Sequence, residues 1–325
     1  MPSCGDPEGA PATRLSEGLC VGRAHSCRGR PSATRPQDAI LPHLRPDSYD
    51  EHVRSPDSAT FADAVLARRL EAAEAVNARL CTASPTGAAF LDIAGGCAIF
   101  VGADSPLTQA VGLGLNGPVS EGEVDTLEAF FRDRGAKVSI DFCPLADPGL
   151  LEILSRRGYR ATEFNNVLVK RIAGTQVVLA PRVRRALAAE GDLWSHTVGR
   201  GFFDQGDLTT AEIDVGRAIF AMPGALCYLA VADTGETAGG GALAGRDGLA
   251  TLFADSTIAG FRRQGFHREL IAARLNEAIA LGCDSATAST LPGSTSQRNF
   301  ERLGFEVVYT KVTLIGSPDG WWKGS

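Results

Sequence analysis

No run of apolar residues in this sequence reaches the ~18 to 20 uncharged positions that a membrane-crossing helix needs, so no span and no membrane partner are predicted. Metal-site spacing is missing as well. The eight cysteines form no Cys-x-x-Cys pair and no His-x-x-x-His stands near them, which excludes structural zinc and leaves no metal expected. At the N-terminus no charged stretch leads into an apolar core, so no secretory leader is read, and the thiols are expected to be reduced in a soluble cytoplasmic protein. Positive charge is also short. With 38 acidic against 32 basic side chains the net charge is -6, a field that repels phosphate backbones; nucleic acid is excluded as a general partner, with room left for one local basic pocket.

What is there is a globular chain of 325 residues, 44% hydrophobic, enough for two domains at the usual ~100 to 200 residues each. Residues 1–45, rich in Pro, Gly, Ser and Arg without periodicity, are expected to be disordered; a transit peptide and an over-long translated start are the alternatives. Beyond this stretch, two domains, 46–175 and 176–316, and a tail, 317–325, are expected. Cys97, Cys143, Cys227 and Cys283 sit in strand-like contexts and read as small core residues.

A helix is predicted over residues 60–80, with Phe61, Val65, Leu66, Leu70, Ala73 and Val76 inward and Arg68, Arg69, Glu71 and Glu74 outward. Residues 89–94 and 97–102 read as a hairpin turned at Gly95-Gly96. A strand at 110–115 precedes a helix that Ser120 and Glu123 cap, that buries Val124, Leu127, Phe130 and Phe131, and that Gly135 stops. Strand 137–143, a short helix opened by Asp147-Pro148 and strand 162–170 complete the half. The second half repeats this order: helix 211–220, strands 226–232, 238–244 and 249–257, helix 265–281, strand 284–289, helix 294–303 and strand 306–314. Arg157-Gly158-Tyr159 stands where Leu303-Gly304-Phe305 stands, and two copies of one mixed-sheet α/β fold are read.

The chemistry concentrates in residues 252–270. A strand runs into a turn holding Arg262, Arg263 and Gly265, and a helix starts at that glycine, so free helix N–H groups and the positive dipole end make an anion cradle. Gly265 lets backbone approach a diphosphate, and Arg262, Arg263 and Arg268 add charge. A merely solvated basic turn has the same composition.

Arg262-Arg263-Gln264-Gly265-Phe266-His267 resembles the pyrophosphate loop of the GCN5-related N-acetyltransferase (GNAT) superfamily, Arg/Gln-x-x-Gly-x-Gly/Ala, with His267 where a small residue is usual. Residues 292–305 resemble the superfamily's next motif, a short helix ending in Leu-Gly-Phe beside the pantetheine and adenine arms. The resemblance implies an acyltransferase in a tandem arrangement: an acetyl-CoA-binding domain at 176–316 and a degenerate copy at 46–175. In such a fold the fourth and fifth strands splay apart and the acyl-CoA enters the gap. An amine then attacks the thioester directly, and backbone N–H groups near the end of strand 249–257 hold the oxyanion. Ile258 and Gly260 are implied to meet pantetheine through their backbone, and Ser296 and Asn299 to bond the cofactor or to be plain helix-surface residues. The superfamily's usual thiolate-protonating tyrosine is Phe300 here, which makes Tyr309 the nearest replacement as acid, or else a packed aromatic. Asp255 is a candidate general base or a solvent-facing strand residue, and His196, before a Gly-rich turn, a lesser one. The acceptor is expected to be a small-molecule amine in preference to a peptide, on a monomer or homodimer. A non-catalytic acyl-CoA-binding or regulatory protein is the other reading.

Gly112-Leu-Gly-Leu-Asn-Gly117 is formally a dinucleotide fingerprint, with Asp141 on a later strand, and it carries the nicotinamide alternative. Against it, Pro118 interrupts the entry, the Ser120 cap starts the helix after the motif, and hairpin-joined strands precede it. The turn has no Arg or Lys between Ala103 and Arg132, so it reads as a copy that has lost cofactor binding.

Overall fold

A computed structural model describes residues 62–176 and 178–316. The expected extension at 1–45, the tail at 317–325 and Phe61 lie outside the described residues. Helix α1 (Ala64–Leu80) starts at Asp63, whose carboxylate accepts the Leu66 N–H at 2.7 Å. Strands β1 (Ala89–Ile93) and β2 (Gly96–Phe100) form the expected hairpin, but the turn is Ala94-Gly95, both at positive φ, because Ile93 already pairs with Gly96. Gly96 is a glycine for another reason: a Cβ there would meet the Val111 carbonyl at 2.1 Å, on the neighbouring β3 (Gln109–Val111). Helix α2 (Glu121–Arg132) carries the Ser120/Glu123 capping box and buries the four predicted apolar residues. Strand β4 (Val138–Phe142), α3 (Pro148–Arg156) and the long β5 (Arg160–Arg171) follow.

The second half opens with β6 (Val183–Arg185) and α4 (Gly191–Phe202), neither read in the sequence. What resembled a Gly-rich turn after His196 is helix, because Gly199 and Gly201 let neighbours close in: a Cβ on Gly199 would meet Leu208 at 2.7 Å, and one on Gly201 the Ser256 hydroxyl at 2.1 Å. Then come α5 (Thr210–Phe220), β7 (Ala225–Val231), β8 (Thr237–Arg246), β9 (Leu249–Thr257), α6 (Phe266–Ala280), β10 (Ser285–Thr290), α7 (Thr295–Arg302) and β11 (Glu306–Gly316).

All eleven strands join one mixed sheet, in the order β1-β2-β3-β4-β11-β5-β10-β9-β8-β7-β6. The order is nearly palindromic. Each half contributes an antiparallel set and one parallel pair bridged by a helix, β3–α2–β4 and β9–α6–β10, and each sends its last strand across to the other. Strand β5 seats against β10, β11 seats against β4, and the two pair with each other from Glu306 to Ile315. The cores cross with them: Tyr309 and Leu314 pack with first-half residues, and Leu168 and Ile172 with second-half ones. Cys81, Cys97, Cys143, Cys227 and Cys283 are buried and free, and burial pushes the Cys81 and Cys143 thiols up to about 11 and those of Cys97 and Cys227 to about 12, so they pack and do not react. No helix among the described residues is long and apolar enough to cross a membrane.

On α1 the inner face is not the predicted one. Val65 and Val76 are exposed, while Glu71, expected outward, is buried. Its carboxylate accepts the Tyr309 hydroxyl at 2.7 Å and lies 3.4 Å from Lys311 Nζ, which also meets Glu74 at 2.5 Å and Asp141 at 2.8 Å. One buried ammonium among three carboxylates explains the exchange: the polar residues follow Lys311 inward. Burial raises the Glu71 carboxyl from 4.5 to about 7, with Lys311 opposing and Glu74 reinforcing. Because the folded state favours protonated Glu71, its contribution to stability is full below about 4.5 and fades as the pH rises to 7 and beyond. Glu71→Gln should therefore flatten the pH dependence of the melting temperature across that window; an unchanged slope would place the titration elsewhere.

Candidate functional site

The site begins where two strands stop pairing. Strands β9 and β10 are in register only from Leu249 to Thr251 and Ser285 to Thr287; beyond that they part, and the edge of β9 from Leu252 onward faces no strand. In this free stretch β9 bulges. Phe253 pairs with Ala242 and Ser256 with Gly240, so Ala254 and Asp255 together oppose Gly241 alone, with Ala254 at φ +56°. A bulge leaves its extra residue outside the ladder and bends the strand.

Arg274, on the buried stripe of α6 between Leu270 and Ala278, holds this bulge from beneath. It is fully buried, and its guanidinium donates to the carbonyls of Leu270, Ala242 and Phe253 and to both carboxylate oxygens of Asp255. Room for it comes from glycine: a Cβ on Gly241 would lie 2.8 Å from the guanidinium carbon. Burial alone would raise the Asp255 carboxyl, but Arg274 and then His267 outweigh it and hold the group at about 2. That corrects the general-base expectation, since so weak a base takes no proton at neutral pH.

At the end of β9 the chain makes a short turn and enters α6 through Gly265, at φ +91°. The other described helices, α4 apart, have a side-chain cap; α6 has none, so the N–H groups of its first turn point unsatisfied into a cleft of about 900 Å³. Arg262, Arg263, Arg268 and Arg302 line that cleft, as do Gly265, Phe266, His267, Ser296 and Asn299. Thr257, in the same wall, carries a buried hydroxyl without a hydrogen-bond partner among the described residues. These features fit an anionic, amide-bearing ligand. Beneath the loop Arg182 braces it, donating to the Gln264 carbonyl at 2.9 Å, pairing with Glu269 and stacking on the Phe266 ring.

The other predicted residues divide. Ile258, Gly260 and Gln264 do not line the cleft, and the backbone of Ile258 is already bonded, its N–H to Ala238 and its carbonyl to Phe261. Arg262 reaches across to Asp204 at 2.9 Å and to the Gly201 carbonyl, tying the loop to the end of α4. His267 is a bridge: Asp255 lies 3.1 Å from its Nε2 and the Asn299 amide 3.0 Å from its Nδ1. Since Asn299 takes a bond from Arg302 on its oxygen, its amide nitrogen donates to His267, and the imidazole proton therefore sits on Nε2, toward Asp255. A small residue at this position would remove the link that His267 makes from α7 to α6 and the bulge. Tyr309 lies on β11, separated from β10 by β5; it does not line the cleft, its hydroxyl donates to Glu71, and its side chain lines a second cavity together with the parted ends of β9 and β10. His196 lies on α4 and belongs to neither cavity wall.

The corresponding turn of the first half is closed. The α2 N-terminus is occupied by its own capping box, Gly114 bonds Ala94 and Asp147 through its backbone, and the Asn116 amide reaches the Gly95 carbonyl. Although β3 and β4 are parallel, Asp141 is buried and pairs through one carboxylate oxygen with Lys311. Among the described residues no group of His, Cys, Asp and Glu could hold a metal.

A second cavity, of about 590 Å³, adjoins the cleft and shares Phe202, Asp255 and Ser296 with it. It runs over one face of the sheet, beneath α1, α4 and α5.

No protein-family model matches the chain, and no curated protein does. Solved structures do. A GCN5-related N-acetyltransferase from Kribbella flavida superposes with a TM-score of 0.56 at 19% identity, covering 79% of this chain and 96% of that one. A tandem GNAT protein from the clavulanic acid biosynthesis pathway superposes with a TM-score of 0.50 at 13% identity, covering 72% of this chain and 84% of that one. The chain thus has the tandem GNAT fold.

The pair beneath the bulge is testable by itself. Arg274→Met strands a buried carboxylate, which should cost about 3–5 kcal/mol in urea unfolding, and Asp255→Leu added to it should recover much of that. A single variant as stable as the parent would show that Arg274 does not hold the bulge.

Proposed function

We propose that the protein is an acyl-CoA-dependent N-acetyltransferase that moves an acetyl group from acetyl-CoA to the amine of a small molecule. The observation that carries this is the uncapped α6 N-terminus opening into an arginine-lined cleft at the mouth of the parted β9 and β10. In this reading residues 176–316 hold the donor and 46–175 support the sheet with β5.

The backbone of the α6 first turn, with Arg263, Arg268 and Arg302, takes the diphosphate charge; Gly265 keeps that approach open. The free edge of β9 and the Thr257 hydroxyl offer the hydrogen bonds that an extended amide chain needs, as in strand addition. Acetyl-CoA supplies the activated thioester. The protein supplies position, and in this reading the bulge at Ala254 and Asp255 contributes the backbone N–H groups for the negative charge that grows on the carbonyl oxygen. Asp255 keeps Arg274 and His267 in place and takes no proton. No side-chain acid is needed, because a thiol titrating near ~8.5 is a fair leaving group at neutral pH.

Gly265→Val should abolish acetyl-CoA binding by calorimetry in a folded protein, since a β-branched residue at positive φ is strained and its side chain covers the approach. Asn116→Ala, at the closed first-half turn, should bind normally, and NAD should bind neither protein. Tyr309→Phe should keep turnover within about 2-fold while losing roughly 1–2 kcal/mol of stability, the cost of leaving buried Glu71 a bond short. A ~10²-fold loss of turnover with acetyl-CoA affinity intact would restore Tyr309 as the acid. Labelled acetyl-CoA that binds but transfers to no member of an amine panel would favour a non-catalytic acyl-CoA-binding protein.

A further inference from the structure

The cavity beside the cleft has a one-sided chemistry. No Lys, Arg or His lines it, whereas Glu74, Glu163, Glu212 and Asp255 do, and most of the remaining wall is apolar. Two of these carboxylates are already matched, Asp255 by Arg274 and Glu74 by Lys311. Glu163 takes only the Asn165 amide, and Glu212 only its own helix cap and the Gln205 amide; neither meets a cation among the described residues. The Thr209 bonds hold Glu212 below the ordinary carboxyl range, so it stays ionised. Independently, Thr290, at the end of β10 in the same wall, has a buried hydroxyl with no hydrogen-bond partner among the described residues. A buried unbonded hydroxyl in a ligand-sized cavity is a place for a polar group of the ligand.

We propose that the acceptor is a lipophilic primary amine, an apolar body that arrives as an ammonium ion, and that the first half of the chain builds one wall of its cavity; this deepens the N-acetyltransferase reading and rests on it. Ile99, Leu107 and Val167 supply first-half apolar wall, and Glu163 its charge, facing Val198, Met222 and Phe253 of the second half. This gives the degenerate copy a use beyond scaffolding, since its β5 carries Glu163 and Val167 directly alongside β10 and β11. Glu163 and Glu212 draw the cation in, and Thr290 bonds the nitrogen near the shared boundary at Asp255. The ammonium loses one proton to solvent; its nitrogen forms a bond to the acetyl carbon as the carbon–sulfur bond breaks. A second proton goes through solvent to the thiolate, and the third stays on the amide.

The full chain, with and without saturating CoA, is titrated by calorimetry with 4-phenylbutylamine, 4-phenylbutanol, 4-phenylbutanoate and glucosamine. The amine should bind at least ~10-fold tighter than the alcohol, the worth of one bond to a charged group, the carboxylate not at all, and glucosamine weakly. Glu163→Gln with Glu212→Gln should remove the preference of amine over alcohol, and Glu163→Arg, on an exposed strand position, should turn it toward the carboxylate. The alcohol binding as well as the amine, binding of the carboxylate to the parent protein, or glucosamine matching phenylbutylamine would each overturn the proposal. If CoA itself fails to bind, the acyltransferase reading falls, while the CoA-free titrations still decide the chemistry of the cavity.

Discussion

One buried ion pair organises the working end of this molecule. Arg274, fully buried, is neutralised by Asp255 at the boundary of the two cavities, and burying a guanidinium is costly unless every remaining donor is satisfied. Here it is: the guanidinium also bonds three carbonyls, from its own helix and from the two strands that it underpins. Helix, strand and bulge are thereby fixed to one another, and α6 cannot slide without breaking the set. Close packing, at Gly241 against this guanidinium, accounts for the three successive glycines of β8. A side chain on Gly241 would meet the guanidinium, one on Gly240 would meet Val198 and Trp194, and one on Gly239 would meet the Ser256 carbonyl at 2.3 Å. His267 extends the same network to α7 through Asn299, so a departure from the usual loop residue becomes a link between elements.

The exchange of last strands is the second constraint. A lone half would leave β10 with an open edge where β5 now lies, and β4 with one where β11 lies; such edges invite aggregation. Crossing the strands closes both edges at once and joins the two cores. It also places a strand of the first half in the wall of the second cavity, and it joins the Tyr309 hydroxyl to Glu71 in the buried Lys311 cluster.

Much of this was legible in the sequence. Strand and helix order, the Ser120 and Asp147 caps, the stop at Gly282 and the glycine entry to α6 all rest on local rules that tertiary contacts did not override. The cradle was legible because basic turn, glycine and helix start are contiguous. What escaped depends on partners distant in the chain. Arg274 falls on the apolar stripe of α6 at Phe266, Leu270 and Ala278, a position whose burial could have been suspected, but its carboxylate lies on another element. Glu71 looked outward because Lys311 is far along the chain, and the α4 glycines looked like a turn because their close neighbours are in α5, β9 and a loop. Strand exchange leaves no local mark at all.

Hydrogen exchange followed by mass spectrometry, with and without acetyl-CoA, tests the central claim that the donor lies in the gap held open by Arg274. Protection should rise in residues 252–258, 262–268 and 295–302 and stay unchanged across the first-half turn at 112–121. Protection at 112–121, or none along the free edge of β9, would contradict the account.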